Sequence, residues 1–195
     1  MIELRELQWG HAGDAGARLT ATLAKGACAV LEAPERDART VLAVISGRMA
    51  PISGRVVLDG HDLTHDPLAR RRLVFCAHDL PHLPVRVGEY LALAAAGRTG
   101  LGGAPAAALR ASGYDAAADA AGLDAAARQT LDLAAALASG APILLAHAPF
   151  ASGTADDHAR RRALLAEARH EGRTVIVTGI SRRDALVDTV LEAGR

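Results

Sequence analysis

The sequence predicts an α/β fold in which helices flank a mainly parallel sheet, with an antiparallel β region at the start and a helical stretch inserted in the middle. Three observations predict it. The runs Cys28–Leu31, Pro142–Ala146 and Thr174–Thr178 are short and almost wholly apolar, as expected of strands covered on both faces. Helix-period segments lie between such runs, the order that builds parallel crossover units. Residues 79 to 138 turn Ala- and Leu-rich and read as helix throughout, apart from a loose stretch from Gly97 to Pro105.

Taken in order, Ile2–Leu7 alternates polar and apolar residues and reads as an edge strand. Arg18–Leu23 is a second strand, ending at the Lys25-Gly26 turn. After the buried strand Cys28–Leu31, a helix is expected from Arg39 to Ser46, closed by Gly47. Val56–Leu58 followed by Asp59-Gly60 gives a strand and turn, and Leu73–Cys76 another strand. Beyond the helical stretch and the buried strand Pro142–Ala146, Ala155–His170 is expected to be an amphipathic helix. Thr174–Thr178 is the next strand, and Asp188–Glu192 has strand character. One domain spans 1–195, with the β region and first half of the core in 1–78, a helical subdomain in 79–138 and the second half of the core in 139–195.

Composition narrows the function. In 195 residues, 22 Lys+Arg balance 22 Asp+Glu, so no bulk field draws nucleic acid or an anionic surface. Lys25 is the sole lysine, and the Arg and Ala usage points to a GC-rich coding bias. Cys28 and Cys76 lack metal spacing and read as small core hydrophobes in a reducing compartment. The opening residues do not read as a signal peptide, and no apolar run reaches the roughly 18 residues of a span. The expected location is cytoplasmic, peripheral to a membrane only through partners.

The segment Ile45-Ser46-Gly47-Arg48 through Pro51-Ile52-Ser53-Gly54-Arg55-Val56-Val57-Leu58-Asp59-Gly60-His61-Asp62-Leu63 resembles the "LAGLLxPxSGxVxLDGxDL" passage of the nucleotide-binding domain of ABC transporters. Arg70–Phe75 leading to Leu83–Leu91 is similar to the stretch around that family's Q-loop and "TVxENL". The resemblance covers nearly the whole chain. It implies a P-loop NTPase core of the RecA-like type with an inserted helical subdomain.

The chemical motifs of that family are altered at almost every position. A P-loop, GxxxxGK[ST], needs glycines so that consecutive backbone N–H groups wrap phosphate, a Lys to neutralise charge and a hydroxyl for Mg²⁺. The matching segment here is Ala33-Pro34-Glu35-Arg36-Asp37-Ala38-Arg39-Thr40. Ala33 and Ala38 replace the glycines, and a Cβ at a position needing positive φ costs on the order of 1 kcal/mol. Arg39 keeps a charge and Thr40 a hydroxyl. The Asp-Glu pair that would organise Mg²⁺ and polarise water falls at His147 and Ala148, before a retained Pro149-Phe150. The signature LSGGQ falls at Leu123-Asp124-Ala125-Ala126-Ala127, where Asp124 reads as a helix N-cap. The Q-loop glutamine falls at His78, the D-loop aspartate at Thr154 and the switch histidine at Gly179. Trp9 stands near the adenine-stacking position, or covers a core edge. His11, His61, His65, His82, His158 and His170 lack ligand spacing, and Arg160-Arg161-Arg162 reads as a solvated helix face.

The resemblance therefore implies a pseudo-ATPase without resident cofactor, a structural or regulatory subunit of an ABC-transporter-like membrane complex. Its partners would be a transmembrane subunit, an intact ATPase subunit or both, with no nucleic acid. Two alternatives stay open: a nucleotide or anion sensor using Trp9, Arg36, Arg39 and Thr40, with ATP and Mg²⁺ held weakly if at all, and a weak ATPase.

Overall fold

A computed structural model describes residues 1–10, 17–78, 80–81, 83–98 and 104–194. His11, His82, the start of the helical stretch at Asp79 and most of its loose interval lie outside the described residues. Two sheets organise the fold. β1 (Ile2–Gln8), β2 (Arg18–Leu23), β4 (Ser53–Leu58) and β5 (His61–Asp62) form an antiparallel sheet in the order β2-β1-β4-β5. β3 (Cys28–Glu32), β6 (Val74–Cys76), β7 (Ile143–His147), β8 (Thr174–Thr178) and β9 (Thr189–Glu192) form a parallel sheet in the order β6-β7-β8-β3-β9. β1 is thus not an edge strand: its alternation reports one buried face, and says nothing about its edges, which β2 and β4 both occupy.

Side chains of the parallel strands alternate between two cores, as the period of two requires. Cys28, Val30, Phe75, Leu144, Ala146, Val175 and Val177 face a core shared with the helices α3 (Val87–Ala96), α4 (Pro105–Ser112), α5 (Ala125–Ser139) and α6 (Ala155–His170). Ala29, Leu31, Val74, Cys76, Ile143, Leu145 and Ile176 face the other, shared with α1 (Glu35–Ile45) and the antiparallel sheet. Both cysteines are free and buried, which is the small-hydrophobe reading. No helix of the described residues is long and apolar enough to cross a membrane.

Two helices depart from expectation. α2 (Pro67–Leu73) precedes β6 where only strand was read; Asp66 caps it by accepting from the Ala69 N–H at 2.8 Å, with Pro67 at the first helical position. α1 begins at Glu35 rather than Arg39. Its buried stripe runs Ala38, Val41, Leu42, Ile45, the spacing of one helix face, and only extension back past Ala38 completes it.

The solvated-face reading of residues 160–162 is also corrected. Arg161 is fully buried, because Arg161, Leu164, Leu165 and Ala168 share the buried face of α6. Arg162 is half-exposed and donates to both carboxylate oxygens of Asp184 at 2.5 and 2.6 Å, pinning α6 to the segment before β9. That pair holds the Asp184 carboxyl below the usual carboxylate range. The stability it contributes is present above the ordinary aspartate value of about 4 and is lost as pH falls through the lowered value. Thermal melts from pH 5 down to pH 2 should therefore show a steeper loss of Tm in the parent chain than in Asp184→Asn, which has already lost the contribution.

Candidate functional site

The positions that the resemblance assigns to nucleotide chemistry cluster at one edge of the parallel sheet. Ala33 follows β3, His78 follows β6, His147 ends β7 with Ala148 after it, and Gly179 follows β8. These are the carboxyl ends of parallel strands, where open α/β sheets bind ligands. A cleft of about 460 Å³ opens there, lined by Glu35, Arg39, His78, Arg128, Asp132, His147 and Ala148 among others. A second cleft of about 460 Å³ at the opposite end of the sheet contains Asp59, Lys25, Glu171, Arg173 and the N-terminal amine. Its charges neutralise one another, with Asp59 2.6 Å from the amine and 3.4 Å from Lys25, and Glu171 2.5 Å from Arg173.

In the first cleft the segment 33–40 is wound into helix. Pro34 is the N-cap, the Ala38 N–H donates to the Pro34 carbonyl at 2.9 Å, and residues from Glu35 onward are helical. Pro34 has no N–H to offer, the backbone donors from Ala38 onward are committed to helical bonds, and Glu35 and Asp37 stand in the first turn, where an anion would have to approach. The Thr40 hydroxyl donates to the Arg36 carbonyl at 3.0 Å, the back-bond that buried helical threonines make. Arg36 itself is exposed.

Arg39 and His147 meet across the cleft. The Arg39 Nε–H donates to His147 Nε2 at 3.1 Å, and His147 Nδ1 lies 2.6 Å from Thr178 Oγ1. With Nε2 accepting from the guanidinium, the Nδ1–H tautomer donates to Thr178 Oγ1. Glu35 lies 3.8 Å from Arg39, completing a chain from α1 to β8, and the His78 ring meets that of His147 edge-on at 5.9 Å. Asp132, the other acid of the cleft, lies 3.5 Å from Arg128 and accepts from the Tyr90 hydroxyl at 3.2 Å. Burial, then the Asp132 charge, push the Tyr90 phenol well above its usual range. Both acids are thus tied to arginines.

The remaining candidates have local roles. Asp124 caps α5, accepting from the Ala127 N–H at 2.8 Å, and Ala125 is its first helical residue. The Ala126 carbonyl accepts from Arg161 at 2.7 Å. Thr154 caps α6 in a reciprocal box with Asp157. The Ala148 backbone is left-handed with φ of 43°, as is Gly179 with φ of 70°; a Cβ on Gly179 would lie 3.0 Å from Ala148 Cα. Trp9 is 1% exposed and packs in the core with the antiparallel sheet and α1. Among the described residues no group of three or more His, Cys, Asp or Glu could hold a metal ion.

Comparison with solved structures identifies the architecture. A chain described as the ATP-binding protein of an ABC transporter from Pyrococcus furiosus superposes with a TM-score of 0.81, at 19% identity over 98% of this chain and 96% of that one. The fold is that of an ABC ATP-binding cassette. A dimeric cassette captured after hydrolysis with ADP and phosphate gives 0.80 at 16% identity, over 100% and 94% of the two chains. CbiO1 of Clostridium perfringens, part of the ABC transporter complex CbiONQ, gives 0.77 at 16%, over 99% and 84%. No protein-family model and no curated protein matches the sequence. At these identities the likeness is one of fold. Within the cassette fold, the sequence reading missed Thr178 as the partner of His147, and the arginines Arg128 and Arg161 that brace α5. Arg161 carried a signal in its spacing to Leu164, Leu165 and Ala168; Thr178 carried none, since its role depends on β7 and β8 pairing His147 with Thr178.

Proposed function

We propose that this chain is a catalytically inactive ABC-ATPase-like protein, a structural or regulatory subunit of a transporter-like membrane complex. One observation carries the reading: the segment where phosphates would be cradled is helix from Glu35, and its two retained polar groups, Arg39 and Thr40, are both engaged. Neither His147, which ends β7, nor Ala148 after it is a carboxylate, and the acids of the cleft face arginines rather than an open metal position. The anion-sensor reading draws less support, because Glu35 and Asp37 oppose an anion at that helix start.

The partners of the proposed subunit are a transmembrane protein, an intact ATPase subunit or both. Support comes from the fold neighbours, one of which is part of an ABC transporter complex. The docking face is the helical subdomain with the loop at His78, where Leu80, Leu83 and Leu93 line a shallow apolar groove and Leu93 is 53% exposed.

Calorimetric titration with ATP, with and without Mg²⁺, tests the reading. The expected result is no binding heat and no thermal stabilisation at millimolar nucleotide. Micromolar, Mg²⁺-dependent binding that Thr40→Ala abolishes would overturn it.

A further inference from the structure

Away from the nucleotide-type cleft, three arginines line one cavity. A cavity of about 370 Å³ beside β6 is lined by Arg48, Arg71 and Arg98 together with Ser46, Phe75 and Cys76, and no acid is among its described lining residues. None of the three arginines is in an ion pair with a described residue, whereas Arg5, Arg39, Arg162, Arg169 and Arg182 each face a carboxylate.

Two of the three guanidinium groups are held in place by neutral groups. Arg71 Nε donates to the Gly47 carbonyl at 3.2 Å, and Arg98 Nη2 donates to the Arg71 carbonyl at 2.9 Å. Arg98 also lies 4.7 Å above the Phe75 ring. Carbonyls and a ring face orient a guanidinium without cancelling its charge. Arg98 Nε is buried with no acceptor among the described residues, which costs free energy. Burial holds the Arg98 pKa below its ordinary value, and the charge of Arg48 pushes in the same direction. The cluster sets forked donors around one cavity, two of them held by the fold.

We propose that this cavity binds a phosphate-class oxyanion, free in solution or carried on a lipid headgroup. A tetrahedral oxyanion offers several acceptors to guanidinium groups that line one cavity, and forked donors suit it best. Phe75 and Leu80 line both this cavity and the neighbouring apolar groove, so a headgroup's attached chain would have an apolar surface beside it.

The test has two arms on the full chain. Pyrophosphate titration should give saturable, salt-sensitive binding that Arg48→Gln weakens about tenfold, the loss of one charge-assisted bidentate contact. Arg48 is exposed, and its part in the fold is a backbone bond to the Ala43 carbonyl that glutamine keeps, so this variant should keep the parent melting temperature. Co-sedimentation with phosphatidic acid vesicles against phosphatidylcholine vesicles forms the second arm. Binding in either arm, weakened by Arg48→Gln, supports the site; pyrophosphate binding marks a free anion as ligand, and vesicle binding alone marks a headgroup. Binding in neither arm, or binding untouched by Arg48→Gln and Arg98→Gln, overturns it. So does binding lost on Arg39→Ala instead, which would place the anion at α1.

Discussion

Replacing Arg161 by alanine should destabilise the chain by about 3–5 kcal/mol, the range for stripping a buried, multiply bonded charged group from its partners. The side chain is 0% exposed, yet it donates to the Pro149 carbonyl at 2.9 Å, the Ser152 carbonyl at 2.7 Å and the Ala126 carbonyl at 2.7 Å. Gln129 Oε1 at 2.8 Å and Thr130 Oγ1 at 3.1 Å complete its shell. These acceptors belong to α5 and to the turn after β7, and Arg161 itself to α6. Removal would take the Arg161 donor from the Pro149 carbonyl in the buried part of the shell, and one donor each from the Ala126 and Ser152 carbonyls, which keep Thr130 Oγ1 and His158 Nε2 as partners. Gly153 belongs to the same device, since its φ is 100° and a Cβ there would lie 2.9 Å from Arg161 Nη2. Urea unfolding measures the effect, with Arg161→Met as the companion variant. Methionine keeps much of the volume but none of the donors, so a loss similar to alanine's assigns the stability to hydrogen bonds. A change below about 1 kcal/mol for both would show that solvent replaces the network freely.

The turn that Arg161 clamps follows directly on His147 and Ala148, where the cassette resemblance places water activation, so the brace holds the frame of that position whether or not chemistry occurs there. The same division governs what the sequence disclosed. Runs such as Cys28–Leu31 and Thr174–Thr178 were legible because a strand between two cores must be apolar on both faces, and Ala155–His170 because its caps and length agree. The centrality of β1 was not legible, because edge pairing leaves no mark on side-chain alternation. The early start of α1 was hidden by the expectation of a loop at residues 33–38, although Ala38 already lay on the buried stripe. At the candidate site the sequence indicated which groups stand at the strand ends. It could not show that Arg39 and Thr40 would be engaged, because those bonds depend on the winding of α1 and on the position of β7 beside it.

Gly54→Ala should cost about 2–4 kcal/mol, combining the penalty for a Cβ at positive φ with that of overpacking against backbone. At Gly54 φ is 85°, and a Cβ would come within 2.2 Å of the Glu6 carbonyl oxygen and 2.6 Å of Leu7 Cα. Both contacts are backbone, so no side-chain rotation relieves them. The register between β1 and β4 shifts between Arg5 and Gln8, and Glu6 itself has φ of 48°, so Gly54 sits against an irregularity that bends β1. Ala38→Gly makes the contrasting arm. It restores a glycine of the phosphate-loop pattern but places it inside α1, where it should cost about 1 kcal/mol and yield no ATP binding. The retained glycine would then be explained by packing of the antiparallel sheet, and the replaced one by a helix that has no use for a loop. If Ala38→Gly instead stabilised the chain or produced Mg²⁺-dependent ATP binding, segment 33–40 would be a phosphate loop awaiting its ligand, and the inactive-subunit proposal would fail with it.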